Sequence, residues 1–319
     1  MSIKVSVCIP VYGVEKYIEC CARSLFEQTM QDGIEFIFVN DCTPDKSIVV
    51  LERVLAEYPH RKEQTKIINL SENGGVAKAR RIAIENCTGE YIIHCDPDDW
   101  VELDMYEKMY KAAKDADADM VYCDYVKELP DNTIRKYSGG EATTAIELQN
   151  EMLARKTLGT LWNRLYRRRI AIADYSEVCP DSIDFREDLL RNLFMLNQTK
   201  KITKLNIPLY HYRTNNTSIT MTKGIHLAQD AWNSQVIIEK YFQGDTYKDS
   251  INYIRHNALM HILHYNYLPA KQFHVFRKKC RKMWKNKNHS IQGKFLFYLS
   301  GISYPLAGYL YRKIKGIKQ

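Results

Sequence analysis

Tyr91–Trp100 reads YIIHCDPDDW, and the reading of this stretch decides the fold. Tyr91–Cys95 has the length and composition of a buried strand, punctuated by Gly89 before it and Pro97 after it. Asp96, Asp98 and Asp99 follow at its C-terminal end, where open α/β sheets bind ligands. Three carboxylates this close repel one another, so a positive group belongs among them. A hard divalent ion carrying a diphosphate suits them, since Mg²⁺ or Mn²⁺ takes few protein carboxylates and shares phosphate oxygens. The alternative is that Asp98 or Asp99 caps a helix beginning near Val101.

Working outward, Lys4–Pro10, Ile34–Asn40, Thr65–Asn69 and Met120–Tyr125 also read as strands. Glu15–Gln28, Asp45–Tyr58, Val76–Asn86 and Glu102–Ala116 read as helices, the third opened by Gly74-Gly75. The alternation predicts an α/β fold, a mostly parallel sheet flanked by helices. Right-handed crossovers then bring Pro10–Tyr12, Asp41, Asn73–Gly75 and Asp96–Asp99 to one edge. Beyond Tyr125 the pattern changes. Lys127–Gly140 reads as a loop, Leu161–Ile170 as an aromatic, basic run, and Lys201–Thr203 and Pro208–Tyr212 as short strands. Ala145–Leu158, Phe185–Leu196, Ile225–Phe242 and Ile251–Tyr267 read as helices.

A nucleotide fits that edge. Asp41 can accept from a pyrimidine N–H, Tyr12 offers a stacking face, Asp96 can accept from ribose hydroxyls, and Asp98 can bind the metal. Arg80 can pair with a diphosphate or with Asp96. Singly, each has an ordinary use: a turn for Asp41, a solvated helix position for Arg80, a half-buried ring for Tyr12. Their joint occurrence carries the argument. A dinucleotide-binding domain needs G-x-G-x-x-G after the first strand, where this chain has Pro10-Val11-Tyr12-Gly13. An aspartyl-nucleophile phosphatase would place its Asp-x-Asp after the first strand, not the fourth. A nucleotidyltransferase would show a Gly- and Arg-rich loop there.

These motifs resemble family 2 glycosyltransferases of the GT-A fold, of the bacterial type that builds surface polysaccharides. The resemblance rests on VSVCIPVYGVEKYIECCARSLFEQT, FIFVNDCTPDKS, LSENGGVAKARRIAI and GEYIIHCDPDDWVE, and continues in LWNRLYRR, FREDLLRNLFM and PLYHYRTNNTSIT. It implies that Pro10, Val11, Tyr12 and Glu15 line the nucleotide pocket and that Asp41 reads the base. Gly75 and Arg80 would flank the nucleotide and diphosphate, with Asp96, Pro97 and Asp98 forming the D-x-D signature. Asp188 of the Glu187-Asp188 pair would be the general base, His211 a third metal contact or phosphate neighbour, and Trp162 with Asn163 the acceptor-side wall. The implied reaction is single-displacement, inverting transfer from a nucleotide-sugar, a UDP-sugar above others, with Mn²⁺ or Mg²⁺. The chain departs from the family pattern at Gly13 (Asn), Asn40 (Asp), Cys42-Thr43 (Gly-Ser) and Arg81 (Asn). A non-catalytic sugar-nucleotide binder is the competing class, against which the intact Asp96, Asp98 and Asp188 argue.

The expected organisation is a catalytic domain over 1–220, with a nucleotide half 1–125 and an acceptor half 126–220, then a helical basic extension over 221–319. Net charge is +8, yet Lys271–Gln319 holds 13 Lys and Arg and no acid, leaving residues 1–270 at −5. Within that tail Phe295–Leu310 is uncharged over 16 residues. It is too short to span a bilayer and is interrupted by Pro305, with Tyr298, Tyr304, Tyr309 and Tyr311 suited to an interface. The tail therefore reads either as a peripheral contact with anionic lipid, which suits a lipid-linked or oligosaccharide acceptor, or as a helical cap on the catalytic domain. No nucleic-acid motif accompanies the cations. Nine scattered cysteines without a CxxC pair, and an N-terminus unlike a signal peptide, suggest a reduced cytoplasmic protein at the inner face of the cytoplasmic membrane, without zinc.

Overall fold

The fold was obtained as a computed structural model that describes residues 2–129, 131, 133–214, 224–280 and 290–314. In chain order it forms β1 (Val5–Val11), α1 (Ile18–Phe26), β2 (Ile34–Asn40), α2 (Ser47–Ala56), β3 (Thr65–Asn69), α3 (Val76–Glu85), β4 (Tyr91–His94), β5 (Trp100–Val101), α4 (Met105–Asp115), β6 (Met120–Glu128) and β7 (Ile134–Tyr137). There follow α5 (Ala145–Leu153), β8 (Arg164–Arg167), α6 (Arg168–Ala171), α7 (Glu187–Asn197), β9 (Ile202–Arg213), α8 (Ile225–Tyr241), α9 (Lys248–Tyr265), α10 (Ala270–Lys279), α11 (Ile291–Leu299) and α12 (Tyr304–Ile314).

The strands form one sheet in the order β3-β2-β1-β4-β8-β6-β9-β5, with β7 beside β6. β3, β2, β1 and β4 are mutually parallel; the apolar runs of β1, β2 and β4 suit strands covered on both faces, while β3 at the edge has no fully buried residue. All seven residues of β1 are buried. Pro10 is tolerated in this central strand because β4 pairing ends at Cys8↔His94, so no ladder bond is lost towards β4. Past β4 the sheet turns mixed. β8 lies antiparallel between β4 and β6, and β9 pairs parallel to β6. The two short strands expected at Lys201–Thr203 and Pro208–Tyr212 are one strand, with its register shifting from Cys123↔Leu205 to Asp124↔Pro208. The loop expected at Lys127–Gly140 contains β7.

α1 turns Ile18, Cys21, Ala22, Leu25 and Phe26 into a core shared with Val7, Ile9, Phe36, Phe38, Met105 and Tyr106. The chain divides into two compact units, Met1–Gln149 with Thr157–Ser218, and Asn150–Lys156 with Ile219–Gln319. The sheet belongs to the first. In the second, Leu259, Ile262, Leu263, Phe273, Phe276, Leu296, Phe297 and Tyr304 form a separate core. Among the described residues, no helix is long and apolar enough to cross a membrane. All nine cysteines are free thiols, and only Cys20 and Cys42 are exposed.

Candidate active site

The C-terminal ends of β1, β2 and β4 lie at one edge, as their parallel pairing requires. The Asp41 amide donates to Val11 O at 3.0 Å and the Cys95 amide to Cys8 O at 2.9 Å. Tyr12, just past β1, is 50% exposed and leaves a ring face open. Pro10 and Val11 are buried beneath it. Gly13 follows at φ +66, a left-handed conformation that Gly and Asn both accept, which explains why Gly can stand at an Asn position. Cys42 adopts φ +54 where the family pattern has Gly, a sparsely populated conformation for a residue with a Cβ. Asn40 ties the ends of β2 and β3 through Asn69 at 2.8 Å and accepts from the Thr43 amide at 2.9 Å. Glu15 is exposed, and its carboxylate accepts from the Lys46 amide at the start of α2.

Asp41 is buried and already occupied. Its two oxygens accept from the amides of Gly74 at 2.7 Å and Gly75 at 2.9 Å. Burial pushes its carboxyl above the usual range against those two hydrogen bonds, and Asp184 nearby adds to the rise. Asp184 was not singled out from the sequence. Its carboxylate accepts from the Ala77 amide at 3.2 Å, at the N-terminus of α3. Gly75 sits at φ +87, and a Cβ there would meet both Asp184 oxygens at 2.6 Å, so this turn requires glycine twice over.

Arg80, one turn into α3, is nearly buried between two acids. Its guanidinium donates to Asp96 Oδ1 at 2.6 Å and also pairs with Glu187 at the first turn of α7. Of the two partners considered for Arg80, the carboxylate is the one present. Asp188 beside Glu187 is half-buried, and its Oδ1 accepts from the Leu189 amide at 2.7 Å. Burial pushes the Asp188 carboxyl up and Asp96 adds to the rise, while Arg80 and Arg164 oppose it. Helix polarity favours the carboxylate, and burial acts against it. Arg80 thus joins the D-x-D loop to the Glu-Asp pair, two motifs about ninety positions apart in the chain.

The loop itself runs from β4 in the middle of the sheet to β5 at its edge. The Tyr210 hydroxyl pins it, accepting from the Asp96 amide at 3.1 Å and donating to Asp99 Oδ2 at 2.7 Å. Asp99 Oδ1 accepts from the Arg213 amide at 2.7 Å. Burial raises the Asp99 carboxyl far above its usual range, and Asp98 and Asp96 raise it further. The repulsion among the three acids is offset by Arg80 on Asp96 and by the Tyr210 hydroxyl and the Arg213 amide, which donate to the two Asp99 oxygens. Asp98 is half-buried, and Pro97 beside it is buried.

Three expected side chains sit differently. Trp162 is 2% exposed, stacked against Tyr210 at 4.2 Å and Tyr212 at 5.9 Å, so its face is filled by rings and not open to a sugar. Asn163 is buried, donating to Cys123 O at 2.9 Å and accepting from Thr160 and Arg164. His211 is paired across strands with Trp100, the rings stacked at 3.4 Å, and its Nε2 lies 2.7 Å from Glu102. Among the described residues no three His, Cys, Asp or Glu side chains converge as a ligand cluster. The loop offers the carboxylates of Asp96, whose Oδ1 already accepts from Arg80, and Asp98, hard oxygens without sulfur. That set fits Mg²⁺ or Mn²⁺, which need only one or two carboxylates when phosphate oxygens and water complete the shell.

A sheet with this strand order, carrying its acids at the C-terminal rim of the parallel half, is a GT-A glycosyltransferase fold. A solved structure of S. aureus TarS residues 1–349 in complex with UDP-GlcNAc superposes with TM-score 0.65 at 15% identity, over 98% of this chain and 92% of that one. The mannosyltransferase PcManGT from Pyrobaculum calidifontis, in complex with GDP-Man and Mn²⁺, superposes with TM-score 0.57 at 13% identity, over 97% and 87%. The profile of Glycosyl transferase family 2 matches residues 6–173, and the chain belongs to that family. The uncharacterized glycosyltransferase EpsJ of Bacillus subtilis (strain 168) is 33% identical over 224 residues, 68% of this chain and 62% of that one. The chain thus spans less than two thirds of the length of that relative.

Proposed function

We propose that the chain is an inverting glycosyltransferase that moves a sugar from a UDP-sugar to an acceptor hydroxyl in cell-surface polysaccharide synthesis. One observation carries the reading: Arg80 clasps Asp96 and Glu187, so the donor loop and the base-bearing helix share one charged centre. Tyr12 stacks on the base, and Asp41 with Gly74 and Gly75 forms the wall that reads it. The resemblance of residues 3–220 and the UDP-GlcNAc held by TarS support a UDP-sugar, whereas PcManGT holds GDP-Man. Asp96 and Asp98 would hold Mn²⁺ or Mg²⁺, which supplies positive charge against the departing diphosphate. His211 remains a phosphate neighbour only if its contact with Glu102 gives way.

The Asp188 carboxylate takes the proton of the acceptor hydroxyl as that oxygen bonds to the anomeric carbon. The bond to the diphosphate breaks on the opposite face, and the anomeric configuration inverts. A carboxyl raised by burial is a better base than an ordinary aspartate, while Arg80 and Arg164 favour its charged form. Trp162 and Asn163 support the acceptor side from behind, through Tyr212 and the Thr160 hydroxyl. The acceptor is lipid-linked or an oligosaccharide, and the enzyme works in the cytoplasm at the inner face of the membrane. A panel of nucleotide-sugars, read by metal-dependent thermal stabilisation and by nucleotide release, tests the reading. One UDP-sugar should raise the melting temperature only with Mn²⁺ or Mg²⁺ present and be slowly hydrolysed; a panel with no response to any nucleotide-sugar overturns it.

A further inference from the structure

α11 and α12 are packed on one side and apolar on the other. Gly293, Leu296 and Phe297 of α11 and Tyr304, Ala307 and Gly308 of α12 are buried, several of them in the core with Phe273 and Phe276. An ordinary surface helix places charged or polar groups at the opposite positions. Here those positions hold Ile291, Phe295 and Tyr298 on α11 and Leu306 and Tyr309 on α12, with Ile302 in the turn that joins the two helices. All six are exposed, Ile302 at 87% and Ile291 at 79%. Their helices need no further burial to form. α11 starts at Ser290, whose hydroxyl accepts from the Gly293 amide, and Tyr304 stacks on Phe273 at 3.8 Å. Large apolar side chains exposed at successive positions of two joined helices point to an interaction site.

We propose that this outward face is a docking surface for an anionic lipid bilayer, entered by the six side chains with the helices lying in the interface plane. The choice of occupant follows from charge. Lys294 and Lys313 lie on the two helices, exposed Lys271 and Lys278 lie on α10 beside Lys279, which pairs with Glu239, and residues 271–319 contain no acid. A second copy of the chain would bring equal cationic surpluses together. A nucleic acid would meet rings and aliphatic groups where it needs cations. A bilayer with acidic headgroups accepts both features, the aliphatic groups below the headgroups, the tyrosines at their level and the lysines against their charge. Helices of nine and eleven residues lie on such a surface and do not cross it. The inference deepens the membrane placement proposed above and rests on it, but not on the transfer chemistry.

Flotation of the full chain with vesicles of phosphatidylcholine, alone or mixed with phosphatidylglycerol, tests it. The chain should float with the mixed vesicles and stay largely in the bottom fraction with phosphatidylcholine alone. The double variant Phe295→Ser/Ile302→Ser should lower partition by about tenfold or more, with its melting temperature unchanged because both side chains are exposed. Lys294→Glu/Lys313→Glu should remove the preference for phosphatidylglycerol. Wild type remaining at the bottom with both vesicles, or the Phe295→Ser/Ile302→Ser variant floating as well as wild type, overturns the proposal. So does a wild-type dimer in light scattering that this variant abolishes while neither protein floats. Nucleotide release from a soluble UDP-sugar, measured in the same samples, should be equal in wild type and both variants. Its absence throughout with flotation intact would remove the transferase reading and leave the docking surface standing.

Discussion

The rim of the sheet buries charged groups, whereas the outer face of α11 and α12 exposes apolar ones. Both go against the usual sorting of residues, and each is informative for that reason. At the rim, Arg80, Glu187 and Asp99 are almost inaccessible and every one of them has a partner: Arg80 for Asp96 and Glu187, Tyr210 and the Arg213 amide for Asp99. A buried ion pair rarely adds net stability over apolar packing, so its presence points to what the charges do. On α11 and α12 large apolar side chains such as Ile291 and Phe295 stand exposed, and a surface outside the chain would cover them. In the first region the charges of Arg80 and Glu187 face each other, with Arg80 Nε and Glu187 Oε2 still lacking a hydrogen bond among the described residues; the second presents its side chains to the outside.

The contrast can be broken by stability measurements. Arg80→Met should cost about 3–5 kcal/mol in denaturant unfolding, because Glu187 is left buried with no counter-charge. Phe295→Ser/Ile302→Ser should stay within about 0.5 kcal/mol of wild type for each exposed site. If Arg80→Met is as stable as wild type, the buried clasp does not hold the two motifs together. A smaller effect sharpens the electrostatic side. Since burial and Asp96 raise the Asp188 carboxyl, its base form is lost as pH falls through a value above the ordinary aspartate figure of about 3.9. The acid limb of kcat/KM should therefore lie above about pH 4 and vanish in Asp188→Asn, which retains at most a small residual rate. A limb at or below that point, or one unchanged in Asp188→Asn, removes Asp188 as the base.

The parallel half of the sheet was legible because strands buried on both faces leave unbroken apolar runs, and β2 and β3 match their expected bounds. β5 has two residues, too few for any period, and β7 is exposed along its whole length, so neither leaves a pattern. The insertion of β8 between β4 and β6 is a pairing between distant segments, which periodicity does not encode. At the site, the convergence of Asp41, Gly75, Arg80 and Asp96 could be read from strand ends. The fate of Trp162 could not: a core ring and a sugar platform look alike in sequence, and the stack with Tyr210 decides between them. His211 depends on the β5–β9 register, which places it on Trp100 and within reach of Glu102. Asp184 lies in an irregular segment before α7, where its only signal was an acid close to the Glu-Asp pair.

Isothermal titration of UDP into wild type, Asp98→Ala and Asp188→Asn, each with and without Mn²⁺, tests the central claim that one charged rim binds the nucleotide and carries the base. Asp188→Asn should bind UDP with the wild-type metal dependence yet fail to transfer, and Asp98→Ala should lose the metal dependence and bind weakly. Metal-dependent binding unchanged in Asp98→Ala would contradict the account.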